Sequence, residues 1–122
     1  MGYRSQVVLA IAEPLIPQFM VTMAKCPQAR LMCFGDGDCK RDFQGEKGSL
    51  FFEWSYIKWY DSFEEVQAIE DFLSWAEDKL EIDGKEIDGD EHFRFVRIGE
   101  EYEDIEVRGY AFDIHPVRGI EY

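Results

Sequence analysis

Residues 62–80 have the sequence SFEEVQAIEDFLSWAEDKL, the clearest periodic pattern in the chain. Its apolar residues recur at the spacing of one helical face, and they are Phe63, Val66, Ile69, Phe72, Leu73, Ala76 and Leu80. Ser62 with Glu65 three residues later matches a capping box, so we expect the helix to begin there. Because a helix with one apolar face must bury it, this segment predicts a partner sheet or helix.

The preceding segment, residues 49–60 (SLFFEWSYIKWY), is the strongest predicted strand. Alternation divides its side chains between two faces. One face holds Phe51, Glu53, Ser55, Ile57 and Trp59, and the other holds Phe52, Trp54, Tyr56, Lys58 and Tyr60. Packing of one aromatic face into the core is the expected role, and an exposed protein-binding patch is the alternative.

Other elements are predicted on both sides of this strand and helix. Residues 4–12 form a β-branched, apolar strand, and Glu13-Pro14 opens a helix that ends near Cys26. At helical spacing this segment has Leu15, Ile16, Phe19, Met20, Met23 and Ala24, of which we expect Phe19, Met20 and Met23 to lie against the sheet. A further helical turn extends to Cys33. The remaining predicted strands are residues 39–43 (weak), 92–98, 105–112 and the short tail 117–122.

The predicted order is therefore β-α-β-β-α-β-β, with one further strand possible at the C-terminus. A chain of 122 residues, 46% of them hydrophobic, is long enough for one core. We predict a single α+β domain over residues 1–122. Its two layers would have a ferredoxin-like arrangement with an extra C-terminal strand or strands.

Acidic residues are concentrated in one part of the chain. The net charge is −13, and residues 61–106 hold 18 acidic and four basic side chains, a net −14. A protein of this charge repels nucleic acids and anionic membranes, so neither is an expected partner. The simple interpretation is a solvated face. The alternative is a surface that resembles nucleic-acid phosphates and binds a basic groove on another protein.

The helical period selects the candidate protein-binding residues. Glu64, Asp71 and Asp78 are seven residues apart, as are Glu70 and Glu77, so each set climbs one face at intervals of about 10 Å. A second acidic group lies between the last two main strands. The candidate residues are Glu64, Glu70, Asp71, Glu77, Asp78, Glu100, Glu101, Glu103 and Asp104.

Motifs typical of catalysis, metal binding or cofactor binding are missing from the sequence. It contains no G-x-S-x-G, P-loop or H-E-x-x-H motif, so we predict a non-enzymatic protein without a cofactor. Cys26, Cys33 and Cys39 do not have zinc-site spacing, and we expect reduced thiols that pack as small hydrophobic residues. No signal peptide or apolar run long enough to span a bilayer is present, which favours the cytoplasm.

Several short stretches together resemble a family of small acidic proteins encoded by bacteriophages and prophages, most of them without an assigned function. The stretches are MGYRS at 1–5, KWY at 58–60, EVQAI at 65–69, RIGE at 97–100, DIE at 104–106 and Gly109. The family supplies no catalytic residue that can be transferred to this chain. The resemblance implies a phage origin, the cytoplasm of a bacterial host and an accessory role.

Charge and resemblance together lead to an expected function. The leading hypothesis is a phage protein that binds a basic host protein and inhibits a nucleic-acid-handling or defence complex, as DNA mimics and anti-CRISPR proteins do. The alternative is a small-molecule or nucleotide-signal sponge. Its phosphate ligand would require arginines, of which the best placed are Arg4, Arg94, Arg97, Arg108 and Arg118. A structural or morphogenetic phage component is a third hypothesis.

Overall fold

The first strand, β1 (Ser5–Ile11), lies at the centre of a five-stranded antiparallel sheet. The structure is a computed structural model and describes residues 3–35, 39–42, 49–82, 84–101 and 103–111. β1 pairs with β3 (Leu50–Ile57) and β6 (Phe93–Ile98). β2 (Cys39–Asp42) pairs with β3, and β7 (Ile105–Gly109) pairs with β6. The order across the sheet is therefore β2-β3-β1-β6-β7.

Two short helices connect β1 to β2. A 3-10 turn at Glu13–Leu15 leads into α1 (Ile16–Lys25), and α2 (Pro27–Phe34) follows directly. Between them Cys26 has an extended backbone, because the proline that follows disfavours the helical conformation at this residue. The predicted break near Cys26 and the further turn to Cys33 are both confirmed.

The third helix, α3 (Glu64–Ala76), is shorter at both ends than the sequence predicts. The predicted capping box is wrong, because Phe63 takes the N-cap position and no side chain caps the helix. A tight turn, in which the Phe63 amide donates to the Tyr60 carbonyl at 2.9 Å, displaces Ser62 from the cap. At the other end, Leu80 lies beyond the helix in a strand, although its side chain is still buried.

An unpredicted hairpin follows α3. Its strands are β4 (Lys79–Ile82) and β5 (Lys85–Asp88), which pair only with each other. Gly84 in the turn has a φ of +78°, a conformation that favours glycine. Gly89 ends the hairpin against α3, where an added Cβ would stand 1.9 Å from the Ala76 carbonyl oxygen.

A β-bulge in β3 changes which aromatic side chains face the core. Val7 pairs with Trp54 but Ser5 pairs with Ile57, so one residue of β1 opposes two of β3. The predicted alternation holds as far as Trp54, which is 2% exposed, and then reverses. Tyr56 is therefore 66% exposed, whereas Trp59 is buried. The prediction that Tyr56 shares a face with Phe52 and Trp54 is wrong.

The core joins the helices to one face of the sheet through contacts between aromatic rings. Phe19 of α1 lies 5.6 Å from Phe52 of β3 and 5.3 Å from Phe72 of α3, between ring centroids. Met23 is also buried, as predicted. Met20 is 45% exposed, however, because it lies on the outer side of α1, so its predicted core position is wrong.

Helices and an antiparallel sheet confirm the predicted α+β class. Strand β2 confirms the weak strand predicted at residues 39–43, and β7 ends at Gly109, before the predicted limit. The strand predicted at residues 117–122 lies outside the described residues. Within the described ranges, no helix is long and apolar enough to cross a bilayer.

Candidate acidic interface

α3 presents one row of carboxylates to solvent. Burial of its apolar face against the core turns Glu64 and Asp71 outward, and both are exposed. Asp78 is exposed too, but it lies two residues beyond the end of α3, so its predicted place on the helix is wrong. The seven residues from Glu64 to Asp71 correspond to about 10 Å along the helix. We call Glu64, Asp71 and Asp78 the exposed row.

The second predicted set on α3, Glu70 and Glu77, is bound to an arginine of the same chain. Arg108 of β7 lies 2.5 Å from a carboxylate oxygen of each, and its Nε also donates to Glu77 at 3.1 Å. A third carboxylate, Glu106, is 3.8 Å away, and Ser74 accepts a hydrogen bond at 3.1 Å. We call these five residues the Arg108 cluster, and it fixes α3 to the edge strand of the sheet.

A second arginine organises the loop between β6 and β7. Arg97 donates two hydrogen bonds to Asp104, at 2.8 and 3.1 Å, and one to Glu106 at 3.3 Å. These bonds raise the pKa of Arg97. The Tyr3 hydroxyl also donates to Asp104 at 2.6 Å, which fastens the start of the chain to this loop. Asp104 is thus a structural residue as well as a predicted binding residue.

The other predicted loop residues, Glu100, Glu101 and Glu103, have exposed side chains. The Arg4 amide donates to the Glu100 carboxylate, and the Glu101 amide donates to the Tyr3 hydroxyl at 3.0 Å. Contacts with the N-terminal segment therefore hold the loop in place while its carboxylates still face solvent.

Two neighbouring clefts connect the loop with α3. One, of about 410 Å³, is lined by Tyr3, Trp59, Asp104 and other residues, and the second has about 420 Å³ and is lined by α3 residues that include Glu70. Both clefts share Asp61 and Glu106. The two predicted acidic groups therefore lie on one continuous surface.

Burial and neighbouring charges raise the pKa of two carboxyl groups, those of Glu70 and Asp90. The pKa of Glu70 is raised, first by burial and also by the negative charges of Glu106 and Asp61. A hydrogen bond from the Trp59 indole (3.1 Å) and the positive charge of Arg108 lower the pKa of Glu70. Their effect is smaller than that of burial and the two carboxylates, so the pKa is raised overall. The pKa of Asp90 is raised as well, first by burial and then by nearby carboxylates, of which Asp88 and Glu77 act most strongly.

These raised pKa values predict that Glu70 and Asp90 contribute less to stability as the pH rises. The pKa of Glu70 in the folded protein is above its ordinary value of 4.5, so the folded state binds this proton more tightly than the unfolded chain does. The resulting contribution to stability is complete below pH 4.5. That contribution is lost as the pH increases through the folded value. We expect Glu70→Gln to flatten this part of the profile, as measured by urea unfolding between pH 4.5 and neutrality. Identical slopes for the wild type and the variant would contradict the assignment.

The arginines proposed as phosphate ligands contact groups of their own chain. Arg97 and Arg108 lie among carboxylates, and hydrogen bonding to Glu77 raises the pKa of Arg108. Arg94 donates to the Gly109 carbonyl at 2.7 Å, and Arg4 stacks 5.4 Å from the centre of the Tyr56 ring. Arg118 lies outside the described residues.

Sequence reasoning missed Asp61, Trp59 and Tyr3 as members of this surface. Alternation placed Trp59 on a face of the predicted strand but gave no sign that its indole reaches a carboxylate of α3. Asp61 lies between β3 and α3, where no periodicity assigns a face, and Tyr3 precedes the first strand. The side chains of Cys33 and Cys39 are buried, as expected of small hydrophobic residues, and Cys26 is half-buried. Within the part of the chain that is described, no group of three or more His, Cys, Asp or Glu residues could hold a metal ion.

Comparisons with known protein families, with curated proteins and with solved structures found no match.

Proposed function

We propose that this protein is a small phage accessory protein that binds a basic surface of a host protein and inhibits a nucleic-acid-handling or defence complex without catalysing a reaction. The observation that carries the proposal is the exposed row: Glu64 and Asp71 face solvent two turns apart on α3, and Asp78 is exposed just beyond the end of the helix. Regular negative charges on a rigid element imitate the charge of a nucleic-acid strand towards a basic groove.

The rigid support beneath the row favours the same function. The Arg108 cluster ties α3 to β7, and Arg97 ties the β6–β7 loop to the sheet. A surface that is already ordered loses less conformational entropy on binding, so more of the electrostatic attraction remains as affinity. Basic partners would also associate rapidly at low salt and more slowly at high salt.

We also propose that the α+β fold is a ferredoxin-like one, and the order of the strands supports this proposal. Four of the strands lie in the order β2-β3-β1-β6, all antiparallel. Helices α1 and α2 connect β1 to β2, and α3 lies between β3 and β6. This order supports a ferredoxin-like arrangement, in which β7 would be the extra C-terminal strand. A bacterial host cytoplasm is the proposed location.

A nucleotide sponge is the weaker proposal. Phosphate binding requires basic groups with unused donors, whereas Arg97 and Arg108 each donate to two carboxylates. A phosphate at either position would have to displace those carboxylates and would be repelled by them.

Reversal of the exposed row tests the proposed function. The variant Glu64→Lys/Asp71→Lys/Asp78→Lys is expected to lose its effect in a plasmid-protection or phage-infection assay, because its charges would repel a basic partner. Circular dichroism should remain native, since all three side chains are exposed.

A matched variant tests whether activity depends on the position of the charges or only on the net charge. Glu81→Lys/Glu86→Lys/Glu91→Lys changes the charge by the same amount at exposed positions of the hairpin and the turn after it. It is expected to keep full activity. Undiminished activity of the folded exposed-row variant would mean that the acidic surface serves only solvation.

A further inference from the structure

The strand at the end of the sheet, β7, has one side without a neighbouring strand. Among the strands that the structure describes, β7 pairs with β6 alone. The Gly99 amide donates to the Asp104 carbonyl at 2.7 Å, so at Asp104 the main chain faces β6. Because main-chain groups of antiparallel strands alternate in direction, those of Ile105 and Val107 face away from β6.

Three of these outward main-chain groups have no partner among the described residues. The Ile105 amide donates to the Glu103 carbonyl at 2.9 Å, which leaves the Ile105 carbonyl and both the amide and the carbonyl of Val107. We call these three groups the open edge. Unpaired groups in such a row are the template to which an extended chain adds as another strand.

Apolar side chains accompany the open edge on the face of the sheet that points away from α3. Ile105 is 40% exposed and Val107 is 41% exposed. In the register of β6 and β7 they lie opposite Ile98 and Val96, so the four side chains form one apolar patch. A residue added opposite Val107 would point its side chain to the same face, where an apolar side chain extends the patch.

On the other face, the charges beside the open edge are mainly negative. Glu106 and Arg108 point towards α3, where the Arg108 cluster holds three carboxylates against one arginine, a net −2. Arg97 also contacts Glu106 but is bound to Asp104, so these two residues leave the sum unchanged. Glu106 and Asp71 line the same cleft, so the open edge and the exposed row belong to one surface.

These charges decide between the possible occupants of the open edge. A second copy of the chain, centred on Val107, would place its Arg108 opposite Glu106. That arginine is already bound to Glu70 and Glu77, however, and each copy brings a net charge of −13. A segment of another protein with a lysine or arginine opposite Glu106 has neither disadvantage.

We infer that the open edge of β7 binds an extended, basic segment of the partner protein as a sixth strand of the sheet. Apolar side chains of this segment lie beside Ile105 and Val107, and a lysine or arginine lies opposite Glu106. Main-chain hydrogen bonds then supply affinity, and alternate side chains supply specificity. The inference rests on the proposed function, because it identifies the element of the basic partner that this surface recognises.

Two isomeric peptides test the inference. Both have an alternating valine–lysine sequence, and N-methyl groups are on the valines in one and on the lysines in the other. Because a valine opposite Val107 points its N–H to β7, methylation of the valines blocks the open edge, whereas methylation of the lysines does not. Fluorescence anisotropy at low salt is expected to show at least about tenfold tighter binding of the lysine-methylated peptide, equivalent to about 1.4 kcal/mol. Hydrogen exchange of the Val107 amide should slow in this complex.

Matched variants locate the contact. Val107→Pro removes the outward N–H without loss of a bond to β6, and is expected to weaken the lysine-methylated peptide at least about tenfold. Val107→Lys places a positive charge beside the basic segment and should weaken binding likewise. Val21→Lys makes the same change in charge at a residue of α1 that is 42% exposed, and is expected to have little effect. Circular dichroism of both lysine variants should remain native.

Equal binding of the two peptides would overturn the inference while leaving a purely charge-based function in place. Absence of binding by the lysine-methylated peptide would overturn it too. A dimer of the protein that protects the Val107 amide without peptide would assign the open edge to a second copy instead. Failure of the exposed-row variant to lose activity in infection would count against the proposed function itself, so the two failures are distinguishable.

Discussion

Replacing Phe52 with alanine is expected to lower the free energy of unfolding by about 3–5 kcal/mol. The side chain is fully buried, and its ring lies 5.6 Å from Phe19, 5.3 Å from Phe34 and 6.0 Å from Trp54. Truncation would remove these contacts and leave a cavity that three large rings cannot fill without moving. Urea unfolding followed by circular dichroism measures the loss.

Tyr56 is the matched control for Phe52, because it lies four residues further along the same strand. Simple alternation would place both rings on one face, but the bulge turns Tyr56 outward, where it is 66% exposed. We expect Tyr56→Ala to cost less than about 1 kcal/mol, mainly through its loss of the Arg4 guanidinium contact. Equal losses at the two positions would contradict the bulge.

The second large effect is expected at Arg108, where replacement by methionine should cost about 2–3 kcal/mol. The arginine side chain is 15% exposed and is the cation that Glu70 and Glu77 share. Its removal would leave Glu70 half-buried beside Glu106 and Asp61, without the opposite charge that offsets their repulsion. The value is below that of a fully buried pair, because water still reaches these carboxylates.

A second substitution tests this explanation of the Arg108 effect. Glu70→Gln in the Arg108→Met background should recover part of the stability, since it removes the unpaired charge. Arg30→Met, at an exposed arginine of α2, is the control and should be close to neutral. A loss at Arg108 that Glu70→Gln makes worse would show that packing, and not charge, is responsible.

The elements that the sequence predicted well are those with a long, regular pattern. The buried positions of α3 follow the 3.6-residue period, so Val66, Ile69, Phe72 and Leu73 are in the core as expected. The hairpin β4–β5 was missed because each strand has only four residues, and most of its side chains are charged. Such a segment has too few apolar positions to reveal a period of two.

The bulge in β3 could not be predicted, because it depends on the pairing with β1. Nothing local to residues 54–57 indicates that one residue of β1 opposes two of β3. Since strand periodicity is two, one inserted residue changes the face of every later side chain, which explains why Trp59 is buried and Tyr56 is not.

The acidic surface was predicted in outline but not in its division of roles. Helical spacing divided the carboxylates in and just after α3 into two sets. It could not show that Glu70 and Glu77 are held by Arg108, because that arginine is 38 and 31 residues away in sequence. Pairing across such a distance follows from the tertiary arrangement, so only the structure separates the exposed row from the carboxylates that stabilise the fold.

The central position of β1 determines when the protein can fold during its synthesis. β1 leaves the ribosome long before β6, with which it pairs so that Gln6 is opposite Ile98, and the sheet cannot close until that later segment has been made. Until then the edge of β1 that pairs with β6 is open, and an open strand edge favours aggregation. Residues 61–92, which hold 13 acidic and two basic side chains, are synthesised during this interval and would keep nascent chains apart.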